Sequence, residues 1–194
     1  NAGIDWVFAN SDSKYIGYVD SDDWVHEKFL ELLYEAISHF HVNIAQCRFL
    51  KTDGSQEIPE VEHRMISITP LEHYTTYYSA AVWNKLFSRS CWETMRFPEG
   101  QIYEDVAIWY KVLFAENKIA LVDEQLYYYF INPKSIMQSQ WTPPQMAQIR
   151  GWDKQLAFLR KHGLQFYGRR NEDARFMYDY YHRVECAVLL PDVT

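Results

Sequence analysis

The sequence has few of the features that mark secreted, zinc-binding or membrane-spanning proteins. Its three cysteines, Cys47, Cys91 and Cys186, are widely separated along 194 residues, and this spacing indicates neither a disulfide framework nor a zinc site. No apolar run approaches the ~20 residues that a membrane-spanning helix needs, and no signal peptide opens the chain. We therefore expect buried free thiols and a cytoplasmic protein, with a peripheral association at the inner face of the membrane left open.

Positive charge is also scarce. The 19 Lys and Arg residues are outnumbered by 26 Asp and Glu residues, which gives a net charge of -7, whereas nucleic-acid-binding surfaces normally carry a basic excess. The seven histidines show no His-Glu-x-x-His spacing, so a zinc-protease helix is not indicated. Hydrophobic residues make up 48% of the chain, which excludes disorder. We expect an α/β domain with an extension, and no nucleic-acid partner.

The most informative stretch runs from residue 15 to residue 25, where an apolar segment ends abruptly in carboxylates. β-Branched and aromatic residues are typical of a covered, pleated strand. Ile16, Tyr18 and Val19 therefore predict a short buried strand. In open α/β sheets, ligands bind at the C-terminal ends of the strands, so side chains that follow this strand are candidates for a binding site.

Three aspartates, Asp20, Asp22 and Asp23, follow this predicted strand within four residues. Like charges at such spacing repel one another unless a divalent cation with oxygen ligands neutralises them. Mg²⁺ and Mn²⁺ take one or two carboxylates and leave positions for substrate phosphates. Two alternatives stay open at this point. The aspartates form a solvated turn that caps the next helix, or Asp20 is the nucleophile and Asp22 the acid of an aspartyl-nucleophile phosphatase.

Five blocks in a fixed order carry a resemblance to a known family. They are Tyr18–Val25, Trp83–Phe87, Arg96–Gly100, Tyr103–Asp105, and Leu126–Tyr129 followed by Ser135 and Ile136. Together they resemble the inverting glycosyltransferases of family 2. The resemblance implies the GT-A fold, a Rossmann-like α/β fold that binds nucleotide-sugar donors, and a site centred on an Asp-x-Asp segment.

The start of the chain resembles an internal segment of that family. Asn1-Ala2-Gly3-Ile4 is similar to the Arg-Asn-x-Gly segment that lies just before the acidic strand. By this resemblance, the strand and βαβ units that hold the base and ribose of the donor would precede residue 1. We expect a partial GT-A domain that is inactive by itself.

The resemblance also implies residue roles. Asp22 is expected to bind Mn²⁺ or Mg²⁺ directly, and Asp20 to be shared between the metal and the donor ribose. Asp105, in the first turn of a helix predicted to start near Tyr103, is expected to be the catalytic base, with Glu104 beside it at the acceptor. The alternative for this acidic pair is helix capping at the positive end of the dipole.

Three further donor-binding positions are expected, namely Asn1, Lys85 and Ser135. Lys85 is interpreted as a cation that faces the donor phosphates or the acceptor, and its alternative is a surface lysine beside a turn. Family members often have Arg after the tyrosine block, where this chain has Phe130. Lys134 or Ser135 is expected to replace part of that contact to the diphosphate.

We expect residues 1–142 to be the C-terminal part of a GT-A domain and residues 143–194 to be a helical extension. The hydrophobic periodicity predicts helices at Val25–Phe40, Pro70–Tyr78 and Asn171–Leu190. It also predicts one helix that starts near Tyr103 and a separate helix that ends at His162 and Gly163. It predicts strands at Val42–Leu50, within Gln56–Ile68, and at Ala81–Phe87, Lys118–Val122 and Leu126–Ile131.

The sequence thus predicts a hexosyltransferase that moves a sugar, with inversion, from a UDP-sugar to a hydroxyl of a saccharide or lipid-linked saccharide. Synthesis of surface polysaccharide or cell-envelope glycan is the process that the resemblance implies. Two other classes remain: the aspartyl-nucleophile phosphatase, and a noncatalytic binding module that uses the aromatic tail as its contact surface.

Overall fold

The computed structural model describes residues 1–57, 59–62, 64–68, 80–100, 102–131 and 146–163. Within these residues the chain forms α-helices around a six-stranded mixed sheet. The helices are α1 (Ala2–Asn10), α2 (Phe29–Phe40), α3 (Glu104–Glu116) and α4 (Met146–Lys161), with a 3₁₀ turn at Arg89–Trp92. The strands are β1 (Tyr15–Gly17), β2 (Trp24–Val25), β3 (Ile44–Thr52), β4 (Met65–Ile68), β5 (Lys85–Ser88) and β6 (Ile119–Phe130).

The order of the strands brings distant parts of the chain to one end of the sheet. The order is β1-β5-β3-β6-β2, and β4 pairs with β6 beside β2. β5 is antiparallel to β1 and β3, while β3 is parallel to β6, so β1, β3 and β6 run in the same direction. β2 is antiparallel to β6. The segment between β1 and β2 therefore leads from the strand at one edge of the sheet to the strand at the other edge, beyond β6.

Two hydrophobic clusters cover the two faces of the sheet. Alternate residues of a strand point to opposite faces, and neighbouring residues such as Ile44 and Ala45 of β3 belong to different clusters. One cluster contains the apolar face of α2, and the other contains α3, Ile4 of α1 and Trp92. The expected α/β class is confirmed, and the predicted stripe of α3 (Val106, Trp109, Tyr110 and Leu113) is buried.

The first two predicted elements differ from the structure at their ends. β1 ends at Gly17, which pairs with Leu86 near the start of β5, so Val19 lies beyond the ladder and is 52% exposed rather than buried. The predicted helix Val25–Phe40 starts only at Phe29. Val25 belongs to β2 instead, because β6 offers it a strand partner at Tyr127.

The two strands predicted around residues 118–131 are a single strand, β6. The polar residues Asp123 and Glu124, which lie between the two predicted strands, have partners in the structure. Asp123 pairs with Arg48 of β3. Glu124 Oε1 accepts the N–H groups of Glu62 at 2.9 Å and Arg64 at 3.3 Å. The parallel register of β3 and β6 shifts at this point, which accommodates the irregularity without ending the strand.

The remaining predictions divide into confirmed ones and ones outside the described residues. The strand Val42–Leu50 is confirmed as β3, the predicted edge strand within 56–68 is confirmed as β4 at Met65–Ile68, and the strand at Ala81–Phe87 is shortened to β5. Cys47 and Cys91 are buried free thiols, as expected. No helix in the part of the chain that the structure describes is long and apolar enough to cross a membrane. The helix 70–78, the second tail helix and Cys186 lie outside the described residues.

The predicted helix ending at His162 and Gly163 is confirmed as α4, which packs on α3. A Cβ added to Gly151 of α4 would lie 3.0 Å from Cγ1 of the buried Val106. The rings of Tyr110 and Phe158 lie 5.1 Å apart, centroid to centroid, in an edge contact. Gly163 ends the helix with a φ of +67°, as a glycine after a helix commonly does. The glycine at 151 therefore permits the close approach of the two helices.

We expect Gly151→Ala to lower the free energy of unfolding by about 1 kcal/mol. Alanine favours a helix over glycine by up to ~1 kcal/mol, but the new methyl group meets Val106, and overpacking costs ~1–3 kcal/mol. Urea denaturation measures the effect in the single variant. In a Val106→Ala background, Gly151→Ala should no longer lower the free energy of unfolding relative to Val106→Ala alone.

Gly3→Ala is the matched control. Gly3 is also helical, in α1, and a Cβ there has no atom within 4 Å, so this change should keep or raise stability. If Gly151→Ala stabilises the protein as Gly3→Ala does, α3 and α4 do not approach each other as closely as described.

Candidate functional site

The acidic loop, residues 18–23, is held against the C-terminal end of β6. The backbone N–H of Asp20 donates to the hydroxyl of Tyr127 at 3.1 Å, and that hydroxyl donates to Oδ2 of Asp23 at 2.6 Å. The other oxygen of Asp23 accepts the N–H of Phe130 at 2.8 Å. A turn closes between Asp23 N–H and the carbonyl of Asp20 at 3.1 Å. Asp23 is therefore engaged by β6.

Negative charge accumulates around Asp20. Loss of hydration raises the pKa of Asp20 above its ordinary value, and the charges of four other carboxylates, Asp23, Asp22, Asp105 and Glu104, raise it further. The last two come from α3, more than 80 residues along the chain. The charges of the two acidic groups that the sequence analysis singled out separately therefore act on each other in the folded chain.

Asp105 lies in the first turn of α3, as predicted, with Glu104 exposed before it. Burial raises the pKa of Asp105, while the N–H of Val106, which Oδ1 accepts at 2.7 Å, lowers it; Glu104 then raises it and Lys85 lowers it. The helix begins after Tyr103, whose φ of +59° is left-handed. A non-glycine residue in this region is uncommon and carries strain, and here it sets the direction in which the acidic turn enters the site.

Lys85 is completely buried, which excludes the surface-lysine alternative. Its Nζ donates to Oδ1 of Asn84 at 2.9 Å and to the carbonyl of Ala81, and it lies 4.6 Å from the ring centroid of Trp109 on α3. Burial lowers the pKa of Lys85 to about 7, while Cys47 and Asp105 raise it. Contact with a donor phosphate would require these groups to release Nζ, so the expected role of Lys85 at the phosphates stays a prediction.

Tyr127, whose hydroxyl contacts the acidic loop, was not singled out by the sequence analysis. Tyr127, Tyr128 and Tyr129 alternate between the faces of β6. The rings of Tyr127 and Tyr129 both pack on Trp83, with centroids at 4.3 and 5.7 Å, whereas Tyr128 packs on Trp24 at 5.8 Å. The period of two in a strand was the available signal, because it separates the middle tyrosine from its neighbours.

The other expected donor-binding residues have different surroundings. The amide of Asn1 is paired with the backbone of Phe97, since Nδ2 donates to the carbonyl at 2.8 Å and Oδ1 accepts the N–H at 2.9 Å. This pairing holds the loop before α3 against α1. Ser135 and Lys134 lie outside the described residues, so their expected contacts to the diphosphate stay predictions.

The chemistry of Asp20 and Asp22 fits a divalent cation that takes few protein ligands. Among the described residues, no group of three or more His, Cys, Asp or Glu side chains is arranged to hold a metal ion. Two hard carboxylates beside engaged Asp23 match Mg²⁺ or Mn²⁺, which complete their shells with water and phosphate oxygens. The repulsion that raises the pKa of Asp20 is the repulsion that a cation would relieve.

Comparison with known proteins places the chain among glycosyltransferases. The sequence profile described as glycosyl transferase family 2 matches residues 1–99. The chain is 25% identical over 169 residues to glycosyltransferase GlyA of Streptococcus pneumoniae serotype 4, and 26% identical over 163 residues to the uncharacterised glycosyltransferase EpsJ of Bacillus subtilis strain 168. These alignments cover 79% and 77% of this chain but only 24% and 47% of the relatives. The chain thus spans less than half the length of either.

The fold is similar to that of solved structures of TarS from S. aureus. The structure of TarS residues 1–349 with UDP-GlcNAc superimposes with a TM-score of 0.63 at 17% identity and covers 96% of this chain and 54% of that one. The structure with UDP gives a TM-score of 0.53 at 18% identity over 84% of this chain. This likeness confirms the partial GT-A fold that was expected. The profile match extends over half of the sequence, and the chain belongs to glycosyltransferase family 2.

Proposed function

We propose that the protein containing this chain transfers a hexose from a UDP-sugar to a hydroxyl group of a saccharide or lipid-linked saccharide, with inversion at the sugar carbon. The observation that carries the proposal is the electrostatic proximity of Asp20 to Asp105 and Glu104. A donor-binding carboxylate and a candidate base have to lie on two sides of one reacting centre, and these groups come from the acidic loop after β1 and from the first turn of α3.

Asp22 and Asp20 would hold the cation, Mn²⁺ or Mg²⁺, with Asp22 as the direct ligand and Asp20 shared with the donor ribose. When bound, such an ion neutralises the diphosphate leaving group. Asp22 is exposed on the acidic loop, where an incoming diphosphate can reach it. Asp23 is excluded from this role in the proposal, because Tyr127 and Phe130 already engage both of its oxygens.

Asp105 would remove the proton from the acceptor hydroxyl while the C–O bond to the diphosphate breaks. A general base works best when its pKa is close to the working pH, and burial moves the pKa of Asp105 upward in that direction. Below about pH 7 Lys85 is protonated, and its charge opposes this shift. Glu104, exposed beside Asp105, would face the acceptor.

The donor, the biological process and the reaction class are proposed from the family and its relatives. A UDP-hexose donor is supported by the TarS structures, which are complexes with UDP-GlcNAc and with UDP. Surface-polysaccharide or cell-envelope glycan synthesis in the cytoplasm, at the inner face of the membrane, is the process we propose. Family membership favours transfer over the phosphatase alternative, which would be favoured instead by hydrolysis of p-nitrophenyl phosphate with an aspartyl-phosphate trapped at Asp20.

For Asp105→Asn in the full-length protein, we expect the rate of transfer to fall by ~10²- to 10⁴-fold, the usual contribution of general-base catalysis. The base acts only in the transition state and does not contact the nucleotide. The dissociation constant of UDP should therefore change less than about threefold, which is under ~0.7 kcal/mol. Steady-state kinetics and calorimetry measure the two quantities. Full turnover in this variant would mean that the acidic pair is only a helix cap.

Asp22→Asn should affect a different quantity. Removal of a metal-binding carboxylate should weaken Mn²⁺-dependent UDP binding as well as turnover, whereas Asp105→Asn should leave this binding almost unchanged. Calorimetry with UDP, with and without Mn²⁺, separates the two variants. Binding that does not depend on Mn²⁺, or that is the same in Asp22→Asn, contradicts the proposed metal site.

Lys85→Met should move the acidic limb of the pH profile of kcat/KM to higher pH. Lys85 is protonated below about pH 7, so its charge favours ionised Asp105 throughout this limb. Loss of the charge raises the pKa of Asp105, and more of the base is protonated at a given acidic pH. Lys14→Met, at an exposed lysine, is the control and should leave the limb in place. A limb that does not move in Lys85→Met removes Lys85 from this role.

A further inference from the structure

The acidic loop depends on one phenol for its attachment to the sheet. The hydroxyl of Tyr127 accepts from the backbone of Asp20 at 3.1 Å and donates to the carboxylate of Asp23 at 2.6 Å. It thus joins the first and last aspartates of the loop at a single oxygen atom.

The ring of Tyr127 is fixed from several sides, so its hydroxyl has little freedom. The residue is fully buried, its ring stacks on Trp83 with centroids at 4.3 Å, and it contacts Phe29 of α2 at 6.2 Å. Its backbone is in register with Val25 of β2. A rigid donor held by packing is what a metal or substrate site needs behind the groups that bind the ligand.

Asp23 completes the attachment. Its second oxygen accepts the N–H of Phe130 at 2.8 Å, a position where family members often have Arg. Both oxygens of Asp23 are therefore bound to β6, whereas Asp20 and Asp22 lie on the exposed part of the loop. The three aspartates thus differ in their surroundings. Asp23 attaches the loop to β6, whereas Asp20 and Asp22 are exposed to solvent.

We propose that Tyr127 is a positioning residue of the donor site, which, with Asp23, fixes the loop that presents Asp20 and Asp22 to a divalent cation and the donor diphosphate. This proposal rests on the proposed function. It assigns roles to two residues that do not touch the donor. Groups that orient metal ligands typically change metal affinity ~10- to 100-fold when they are lost.

The test is Mn²⁺ binding by the full-length protein in the presence of UDP, followed by the electron paramagnetic resonance signal of free Mn²⁺. Tyr127→Phe keeps the stacked ring and removes the hydroxyl. We expect Mn²⁺ affinity to fall about 10- to 100-fold, and hydrogen exchange of the amides in residues 18–23 to become faster without Mn²⁺ or UDP. The second readout is independent of the activity of the loaded enzyme.

Tyr128→Phe is the matched control. Tyr128 is the next residue of β6, and its hydroxyl is buried on the other face of the strand without a hydrogen-bond partner in the described structure. Its removal should change neither Mn²⁺ affinity nor loop exchange. If Tyr127→Phe does not fold, Asp23→Asn tests the same attachment from its other end. If both single variants fold, the double variant should lose less affinity than the two single losses added together, because the hydrogen bond between Tyr127 and Asp23 is common to both.

The outcomes separate this proposal from the proposed function. Loss of Mn²⁺ affinity and loop protection in Tyr127→Phe, with Tyr128→Phe unchanged, supports the positioning role. Affinity and exchange within threefold of the natural protein in Tyr127→Phe, while Asp22→Asn has lost Mn²⁺ binding, overturns the positioning role and leaves the proposed function standing. Unchanged Mn²⁺ binding in Asp22→Asn as well overturns both.

Discussion

Because β1 pairs with β5 and β2 pairs with β6, the six residues between them have to cross from one end of the strand order to the other. The parallel pairing of β3 with β6 determines where that crossing ends, since β2 is held along β6 at Tyr127 and Tyr128. The strand order thus fixes both ends of the acidic loop, and the hydrogen bonds of Asp20 and Asp23 hold it against β6. The carboxylates in the first turn of α3, a helix that covers one face of the sheet, act electrostatically on Asp20 of the loop.

The charges at this end of the sheet are strongly unequal. Five carboxylates interact there, whereas the positive group described among them is the ammonium of Lys85, buried beside Trp109. The electrostatic interaction of a buried cation is strongest with groups from which water is excluded. Lys85 therefore acts on the partly buried Asp105 more than on the exposed loop. The loop is left with a net negative charge that suits a cationic partner. This inequality arises from the cluster as a whole and from no single aspartate.

The sequence allowed the elements with strong periodicity and the acidic blocks to be predicted, but not the way in which they pair. The stripe of α3 was predictable because Val106, Trp109 and Leu113 recur at helical spacing. β2 was not, because the two residues Trp24 and Val25 have no pattern of their own and become a strand only beside β6. The roles of Asp23 and Tyr127 depend on a hydrogen bond between residues 104 positions apart, which local sequence does not encode.

The enclosure of Lys85 also couples the docking of α3 to protons. In the folded state the pKa of Lys85 is lowered from 10.5 to about 7, so between these pH values the docked helix holds a neutral amine and an undocked one a charged ammonium. Trp109 covers the amine, and opening at α3 takes up a proton. Transient opening therefore becomes more frequent as the pH falls from about 10 towards 7 and then changes no further. Transient opening of α3, the helix that carries Glu104 and Asp105, is therefore coupled to protonation of Lys85.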